Sequence, residues 1–107
     1  MRGDADARLT VSVRHAAGRA TVEIAGDLDM ATAPLLDEPT RQLVDHGADE
    51  VCLDTGGVEF IDSSGLLALL NLAEAVDRMG ATLRPTEASS SVRRVVAITG
   101  LHQLVPS

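Results

Sequence analysis

The tetrapeptide Asp62–Gly65 carries the residue types that could most readily do chemistry. It places two hydroxyl groups directly after a carboxylate, between an apolar segment with strand character and a long apolar segment with helical spacing. The first turn of a helix has free backbone N–H groups and a partial positive charge, so such a site suits an anion or a phosphate. Asp and Ser are also the preferred residues at helix N-termini, and the residue types alone favour a capping role.

A second possible chemistry for this segment is nucleophilic catalysis, because a strand, a serine and a helix in that order form the layout of a hydrolase elbow. That motif requires glycine two residues before and two residues after the serine. Ser63 has Ile61 before it at that distance, and Ser64 has no glycine at either position. Three histidines could serve as bases, but all fall in segments that resemble loops or helix ends: His15, His46 and His102. We therefore expect no enzymatic activity.

Four aspartates fall at the ends of predicted strands, and carboxylates are ligands for hard cations such as Mg²⁺. They are Asp27, Asp29, Asp54 and Asp62. They would form an acidic cluster if those strand ends shared one edge of the sheet, but their spacing matches no calcium-binding loop. Acidic residues at a sheet edge are ordinarily solvated, so we predict neither a metal site nor a cofactor. The single cysteine, Cys52, is expected to be a small buried apolar side chain.

Alternation of apolar and polar residues predicts two strands near the amino terminus. The first covers residues 9–13 and the second residues 20–24, with the short connection HAAGR between them. Gly18 supplies the flexibility that a turn needs. Together these segments predict a β-hairpin.

Residues 31–46 are predicted to be mostly helical, with Thr32 as a candidate N-cap and Gly47 at the end. Pro39 fits this helix poorly, because proline lacks a backbone donor and crowds the carbonyl four residues back. We expect either a kink at this position or a helix that begins near it.

The central and carboxy-terminal segments alternate between strand and helix patterns. Residues 51–53 predict a short buried strand before a Gly56-Gly57 turn, and residues 58–61 lead directly into Asp62. Residues 81–84 predict another strand. Ser89–Ser91 are expected to cap a helix that ends at Gly100, and the tail LHQLVPS has room for one short strand at most. Strands alternating with helices predict an α/β fold.

The helix at residues 64–79 is apolar on more than half of its circumference. Because helical neighbours diverge by about 100°, its leucines cannot all face one core. We predict that at least one of Leu66, Leu67 and Leu70 is exposed, and that these residues form a partner-binding surface with Ser63 at its rim.

Composition limits the classes of partner. Sixteen acidic against nine basic residues give a net charge of −7, so nucleic acid is not an expected partner. No apolar run approaches the ~20 residues of a membrane span, and the start MRGDADARLT lacks the apolar core of a signal peptide. We expect a cytoplasmic protein with no membrane partner. The 107 residues suit one domain, residues 1–107, with residues 1–7 as a disordered tail.

The segment VCLDTGGVEFIDSSGLLALL resembles the signature of STAS domains, specifically the bacterial anti-sigma factor antagonists. Three further segments agree in order and spacing: GDLDMATAP, RMGATLRPTEAS and VRRVVAITGLHQLV. The resemblance covers nearly the whole chain from Leu9 onward. It implies a single STAS-like α/β domain whose mixed, mostly parallel sheet has four to five strands, with helices mainly on one face. In such proteins a C-terminal helix usually follows, and its absence before Ser107 adds to the expected exposure of the apolar helix.

The resemblance also implies a regulatory function. In this family the unphosphorylated antagonist binds an anti-sigma factor that is also a serine kinase, and binding releases the sigma factor. The kinase phosphorylates the serine directly after the Asp, here Ser63, and a serine phosphatase reverses the modification. Asp62, Ser64 and Gly65 match the rest of that motif. Asp29 matches the last residue of the family's G-[DE]-L-D pattern, which lies near the phosphorylated serine.

One alternative keeps the same fold. A STAS subunit of another assembly, such as a lipid-transport ATPase complex or a stress-signalling scaffold, would have no sigma-factor role. The intact Asp62–Gly65 motif favours the anti-sigma factor antagonist.

Overall fold

The computed structural model describes residues 8–107, so the tail expected at residues 1–7 lies outside the described part. Within that part, four strands and three α-helices form the domain: β1 (Leu9–Ala16), β2 (Arg19–Leu28), α1 (Asp37–His46), β3 (Glu50–Ile61), α2 (Ser63–Arg78), β4 (Thr82–Ala88) and α3 (Ser90–Thr99). The sheet order is β1-β2-β3-β4. The β1–β2 pair is antiparallel, whereas β2–β3 and β3–β4 are parallel. The predicted mixed, mostly parallel sheet of an α/β domain is confirmed.

The predicted hairpin is present, with a two-residue turn between β1 and β2. Ala16 pairs with Arg19, so only Ala17 and Gly18 form the loop. Their φ angles are 53° and 79°, and two successive positive φ values are characteristic of the type I′ turns that suit tight hairpins. Glycine adopts this conformation without a steric penalty, which accounts for Gly18.

The helix predicted over residues 31–46 is divided. A 3₁₀ segment covers Ala33–Leu36, and α1 follows directly from Asp37. Pro39 therefore lies in the first turn of α1, where its missing N–H is not needed, so the expectation of a helix start near this residue is confirmed. Thr32 precedes the 3₁₀ segment, but its side chain caps no helix. Thr32 thus occupies the predicted N-cap position, but that of the 3₁₀ segment, and without a side-chain capping hydrogen bond.

The predicted turn at Gly56-Gly57 is also wrong, because β3 continues through both glycines to Ile61. The pairing with β2 is irregular here: Asp54 pairs with Glu23, but Gly57 pairs with Ala25, so β3 bulges between them. The bulge takes up the extra residue and keeps the strand in the sheet. As a result, Asp54 lies within a strand, and its Oδ1 accepts a hydrogen bond from the Gly56 N–H at 2.8 Å.

The last two predicted elements differ in extent from the structure. β4 runs on to Ala88 through Pro85, which is tolerated because β4 is an edge strand of the described sheet. The tail forms a 3₁₀ turn at His102–Leu104 instead of a strand. The helix capped by Ser89 and ended by Gly100 is confirmed, with the Val92 N–H donating to the Ser89 hydroxyl at 3.2 Å.

One face of the sheet is buried and the other is polar. Side chains of β2 and β3 that face the helices form the core together with leucines of α1 and α2; they include Val22, Ile24, Leu53, Leu43 and Leu69. On the opposite face, Glu50 accepts hydrogen bonds from Arg19 at 2.8 Å and Arg84 at 3.1 Å. The hydrogen bond from Arg19 is the main reason that the pKa of Glu50 lies below its ordinary value. No helix in residues 8–107 has the length and apolarity needed to cross a membrane.

Candidate functional site

Asp62 connects the end of β3 to the start of α2. It has an extended backbone, and its Oδ1 accepts a hydrogen bond from the Gly65 N–H at 2.9 Å. The Leu66 N–H donates to the Asp62 carbonyl at 2.9 Å, which is the first hydrogen bond of the helix. The capping geometry inferred from the residue types is therefore present.

The two serines of the motif differ in accessibility. Ser63 is the first residue of α2 and is exposed, whereas Ser64 is half-buried. A side chain at the first helical position lies beside the free N–H groups of the helix N-terminus. An exposed hydroxyl at this position can be reached by another protein, and an anion attached to it would meet a favourable helix dipole.

Gly65 brings α2 into close contact with the end of β2. A Cβ atom at this position would lie 2.2 Å from the Leu28 carbonyl oxygen and 2.9 Å from its carbonyl carbon. Both are backbone atoms, which cannot rotate away as a flexible side chain could. The absence of a side chain at Gly65 therefore sets how closely the helix that bears Ser63 approaches the sheet.

We expect Gly65→Ala to lower the free energy of unfolding by about 1–3 kcal/mol or more, which is the usual cost of overpacking. Denaturant unfolding measures this change. The control is Asn71→Ala, which changes an exposed position of the same helix and should have little effect on stability. Equal stabilities of the Gly65→Ala chain and the wild type would contradict the close approach.

Asp29 lies in the loop after β2 and holds that loop through its carboxylate. Its Oδ1 accepts hydrogen bonds from the Ala31 N–H at 3.0 Å and the Thr32 N–H at 3.1 Å. Arg8 Nη1 lies 3.6 Å from its Oδ2. Burial raises the pKa of Asp29, but the hydrogen bonds from Thr32 and Ala31 and the charge of Arg8 outweigh it, so the pKa lies below its ordinary value of 3.8.

A carboxyl group whose pKa is lower in the folded state stabilises the fold above its unfolded pKa, and this contribution is lost as the pH falls through the folded pKa. We therefore expect the part of the stability due to Asp29 to disappear as the pH falls below about 4. Asp29→Asn should give a shallower pH dependence of the free energy of unfolding in this range. Parallel profiles for the variant and the wild type would contradict this assignment.

Thr32 contributes to the site in a way that the sequence did not indicate. It is buried, its Oγ1 donates to the Asp27 carbonyl at 2.7 Å, and it accepts from the Asp29 N–H at 3.0 Å. These bonds fold the loop back onto the end of β2. Threonine before a proline-containing segment suggested a cap, and only the tertiary structure reveals that its hydroxyl points to the preceding strand.

The three leucines predicted to form a partner-binding surface occupy different environments. Leu67 is 57% exposed, which confirms that at least one of the three faces solvent. Leu70 is half-buried and lines a groove with Leu83. Leu66 is buried, so its predicted place on the partner-binding surface is wrong: its side chain packs in the hydrophobic core instead.

Two further apolar side chains on segments that adjoin Asp62 are exposed, and the sequence patterns indicated neither of them. Met30 is 75% exposed and Phe60 is 52% exposed. The Met30 N–H donates to Asp62 Oδ2 at 3.2 Å, and Phe60 lies two residues before Asp62 in the chain. A large apolar residue in a loop directly after Gly-Asp-Leu-Asp is a signal that could have identified Met30. We refer to Met30, Phe60 and Leu67 as the apolar rim.

The remaining candidates lie elsewhere or do not assemble. The rings of His15 and His46 stack with centroids 3.7 Å apart. His15 pairs with Ala20, which pairs with Val51 at the beginning of β3, whereas Ser63 follows the end of that strand. Within residues 8–107, no group of three or more His, Cys, Asp or Glu side chains is arranged to hold a metal ion. Cys52 is buried, as expected.

The described residues thus form a small α/β domain with a mixed four-stranded sheet and an exposed serine at a capped helix N-terminus, just after the third strand. Residues 11–106 match the family model described as "Mlab, STAS domain", and the chain belongs to the STAS domain family.

Relatives within this family are named as anti-sigma factor antagonists. The chain is 32% identical over 98 residues to the anti-sigma-B factor antagonist of Bacillus subtilis (strain 168), covering 91% of this chain and 88% of that protein. It is 30% identical over 98 residues to the anti-sigma-F factor antagonist RsfB of Mycobacterium tuberculosis, and the match covers 89% of this chain and 77% of that protein. The crystal structure of an anti-sigma factor antagonist from Mycobacterium paratuberculosis superposes with a TM-score of 0.77 at 28% identity, covering 92% and 83%.

Proposed function

We propose that this chain is an anti-sigma factor antagonist that binds its anti-sigma factor through the surface around Ser63 and is released by phosphorylation of that serine. The single observation that carries the proposal is the exposed hydroxyl of Ser63 at the first residue of α2, next to the Asp62 carboxylate. The names of the relatives support an antagonist over a STAS subunit of another assembly.

The proposed partners follow from this function. The anti-sigma factor acts as a serine kinase toward Ser63, and a serine phosphatase returns the chain to its binding form. The chain itself binds and does not catalyse. It acts in the cytoplasm, which supplies the ATP that the kinase needs.

A phosphate at Ser63 should disrupt binding without disrupting the fold. It adds a charge of about −1.5 to −2 next to Asp62. The helix N-terminus stabilises a nearby exposed anion by about 0.3–1 kcal/mol, so the modified helix should remain folded. A partner surface that fits a neutral hydroxyl would instead meet a bulky anion, and like-charge contacts at an interface are costly.

The apolar rim supplies a source of affinity for such a partner. All three side chains of the apolar rim are exposed. Met30 lies in the loop after β2 and its N–H donates to Asp62, Phe60 lies near the end of β3, and Leu67 lies in the second turn of α2. Exposed apolar side chains can supply binding energy for the anti-sigma factor, and a phosphate on Ser63 would then release it. Leu70, which is half-buried, lies farther along the same helix and is proposed as a peripheral contact.

We expect Ser63 rather than Ser64 to accept the phosphate, because Ser63 is exposed and Ser64 is half-buried. The purified anti-sigma factor kinases of the same genome are incubated with the chain and ATP, and the modified peptide is mapped by mass spectrometry. Ser63→Ala should abolish incorporation, whereas Ser64→Ala should retain it. Phosphate on Ser64, or on Ser89–Ser91, with Ser63 unmodified would contradict the assignment.

A further inference from the structure

The loop at residues 29–32, which we call the Met30 loop, is tied to the start of α2 by one side-chain hydrogen bond. Most amides in and next to this loop bond within it or to its own residues: Asp29 N–H to Thr32 Oγ1, Ala31 and Thr32 N–H to Asp29 Oδ1, and Ala33 N–H to the Asp29 carbonyl. The Met30 N–H differs, because its acceptor is Asp62 Oδ2, 32 residues away in the sequence.

The two carboxylate oxygens of Asp62 therefore serve different elements. Oδ1 accepts from Gly65 and caps α2, whereas Oδ2 accepts from Met30 and holds the loop. The Asp62 N–H also donates to the Leu28 carbonyl at 3.3 Å, so the residue is fixed against the end of β2. Its carboxylate lies directly beside the residue that carries the proposed phosphate.

We propose that Asp62 is a positioning residue of the partner-binding surface: its Oδ2 holds the Met30 loop in the conformation that the anti-sigma factor binds, and a phosphate on Ser63 weakens that hold. This inference rests on the proposed function and adds a route by which the switch acts on Met30. The phosphate repels the Asp62 carboxylate and offers the N–H groups of the helix N-terminus another acceptor. The regulation thus changes the shape of the surface as well as its charge.

Asp62→Asn separates the two tasks of this side chain. Asparagine caps helices about as well as aspartate, so its oxygen can accept from Gly65. Asparagine has one acceptor oxygen where aspartate has two; when that oxygen accepts from Gly65, the NH2 group takes the place of Oδ2 and cannot accept a hydrogen bond from Met30. The helix should keep its cap, and the loop should lose its tether.

The test measures amide hydrogen exchange by NMR at Met30 and Gly65, together with affinity for the purified anti-sigma factor. In Asp62→Asn, exchange at Met30 should become about tenfold faster or more, as for loss of a hydrogen bond to a charged group. Exchange at Gly65 should change less than about twofold, and the affinity should fall about tenfold. A chain with phosphoserine installed at position 63 should also exchange faster at Met30.

Two controls separate this role from general effects. Ser89→Ala removes the cap of α3 and should leave exchange at Met30 unchanged. Asp27→Asn removes a carboxylate near the same end of the sheet, and it should leave both exchange at Met30 and the affinity near wild type. Faster exchange at Met30 in either control would overturn the inference.

Unchanged exchange at Met30 in Asp62→Asn, or faster exchange with unchanged affinity, would also overturn the inference. So would phosphoserine at position 63 that leaves exchange at Met30 unaltered. The proposed function would survive these results, because it is decided separately by whether phosphoserine at position 63 weakens binding to the anti-sigma factor.

Discussion

Phosphoserine at position 63 should weaken binding to the anti-sigma factor by about a hundredfold or more, which corresponds to about 3 kcal/mol. The physical reason is the placement of the serine. Ser63 is exposed beside the carboxylate of Asp62, so a phosphate there presents two adjacent anions to the partner. Ser63→Ala should bind like the unmodified chain. Ser63→Asp should have a smaller effect than phosphate, because aspartate carries one charge and fewer acceptor oxygens.

Calorimetric titration against the purified anti-sigma factor measures these affinities. Ser90 provides a matched control, since it is also exposed and is the first residue of a helix with a serine cap. Phosphoserine installed at position 90 should change the affinity less than about threefold, or about 0.7 kcal/mol. Equal affinities for the unmodified chain and the chain with phosphoserine at position 63 would contradict the switch. Equal losses of affinity for phosphoserine at positions 63 and 90 would show that the added charge acts without regard to its position.

Leu67→Ala should weaken partner binding and Leu69→Ala should lower stability, although the residues lie two positions apart on one helix. Leu67 is 57% exposed and Leu69 is 0% exposed. Truncation of Leu67 should lower the affinity for the anti-sigma factor about tenfold, or about 1.4 kcal/mol, with stability nearly unchanged. Truncation of Leu69 leaves a cavity in the core and should lower the free energy of unfolding by about 2–5 kcal/mol.

Thermal unfolding and titration of both variants provide the two readouts. Alanine has a slightly higher helix propensity than leucine, so a loss of affinity in Leu67→Ala cannot come from a weaker helix. If Leu67→Ala lowers the free energy of unfolding as much as a core truncation does, Leu67 lies in the core. A stable variant with wild-type affinity would remove Leu67 from the partner-binding surface.

Local signals in the sequence were sufficient for the hairpin turn and for two of the helix caps. The hairpin at Ala17-Gly18, the cap at Asp62 and the cap at Ser89 each depend on residues within a few positions of one another. Such features are determined by backbone preferences and short-range hydrogen bonds, which is why residue type predicts them.

Features that depend on neighbouring elements were not predictable in this way. The Gly56-Gly57 pair looks like a turn, yet pairing with β2 and a bulge keep it in β3. The helical pattern could not separate the buried Leu66 from the exposed Leu67, because both belong to a helix that is apolar on most sides. The tether between Met30 and Asp62 joins residues 32 positions apart and becomes visible only in the folded chain.

The proposed phosphorylation site, Ser63, and its neighbours follow from the motif of the family rather than from physical chemistry alone. Residue types at Asp62–Gly65 indicated a capped helix N-terminus and left the function open. The structure adds the difference in exposure between Ser63 and Ser64, which gives a physical reason for a kinase to select the first serine.

Release of a sigma factor from its complex with the anti-sigma factor tests the central claim most directly. A fluorescently labelled sigma factor is bound to the purified anti-sigma factor, and the chain is added while fluorescence anisotropy is recorded. The unmodified chain should lower the anisotropy to the value of free sigma factor, and the chain with phosphoserine at position 63 should leave it unchanged at the same concentration. Failure of the unmodified chain to release the sigma factor, or equal release by both forms, would contradict the proposed function.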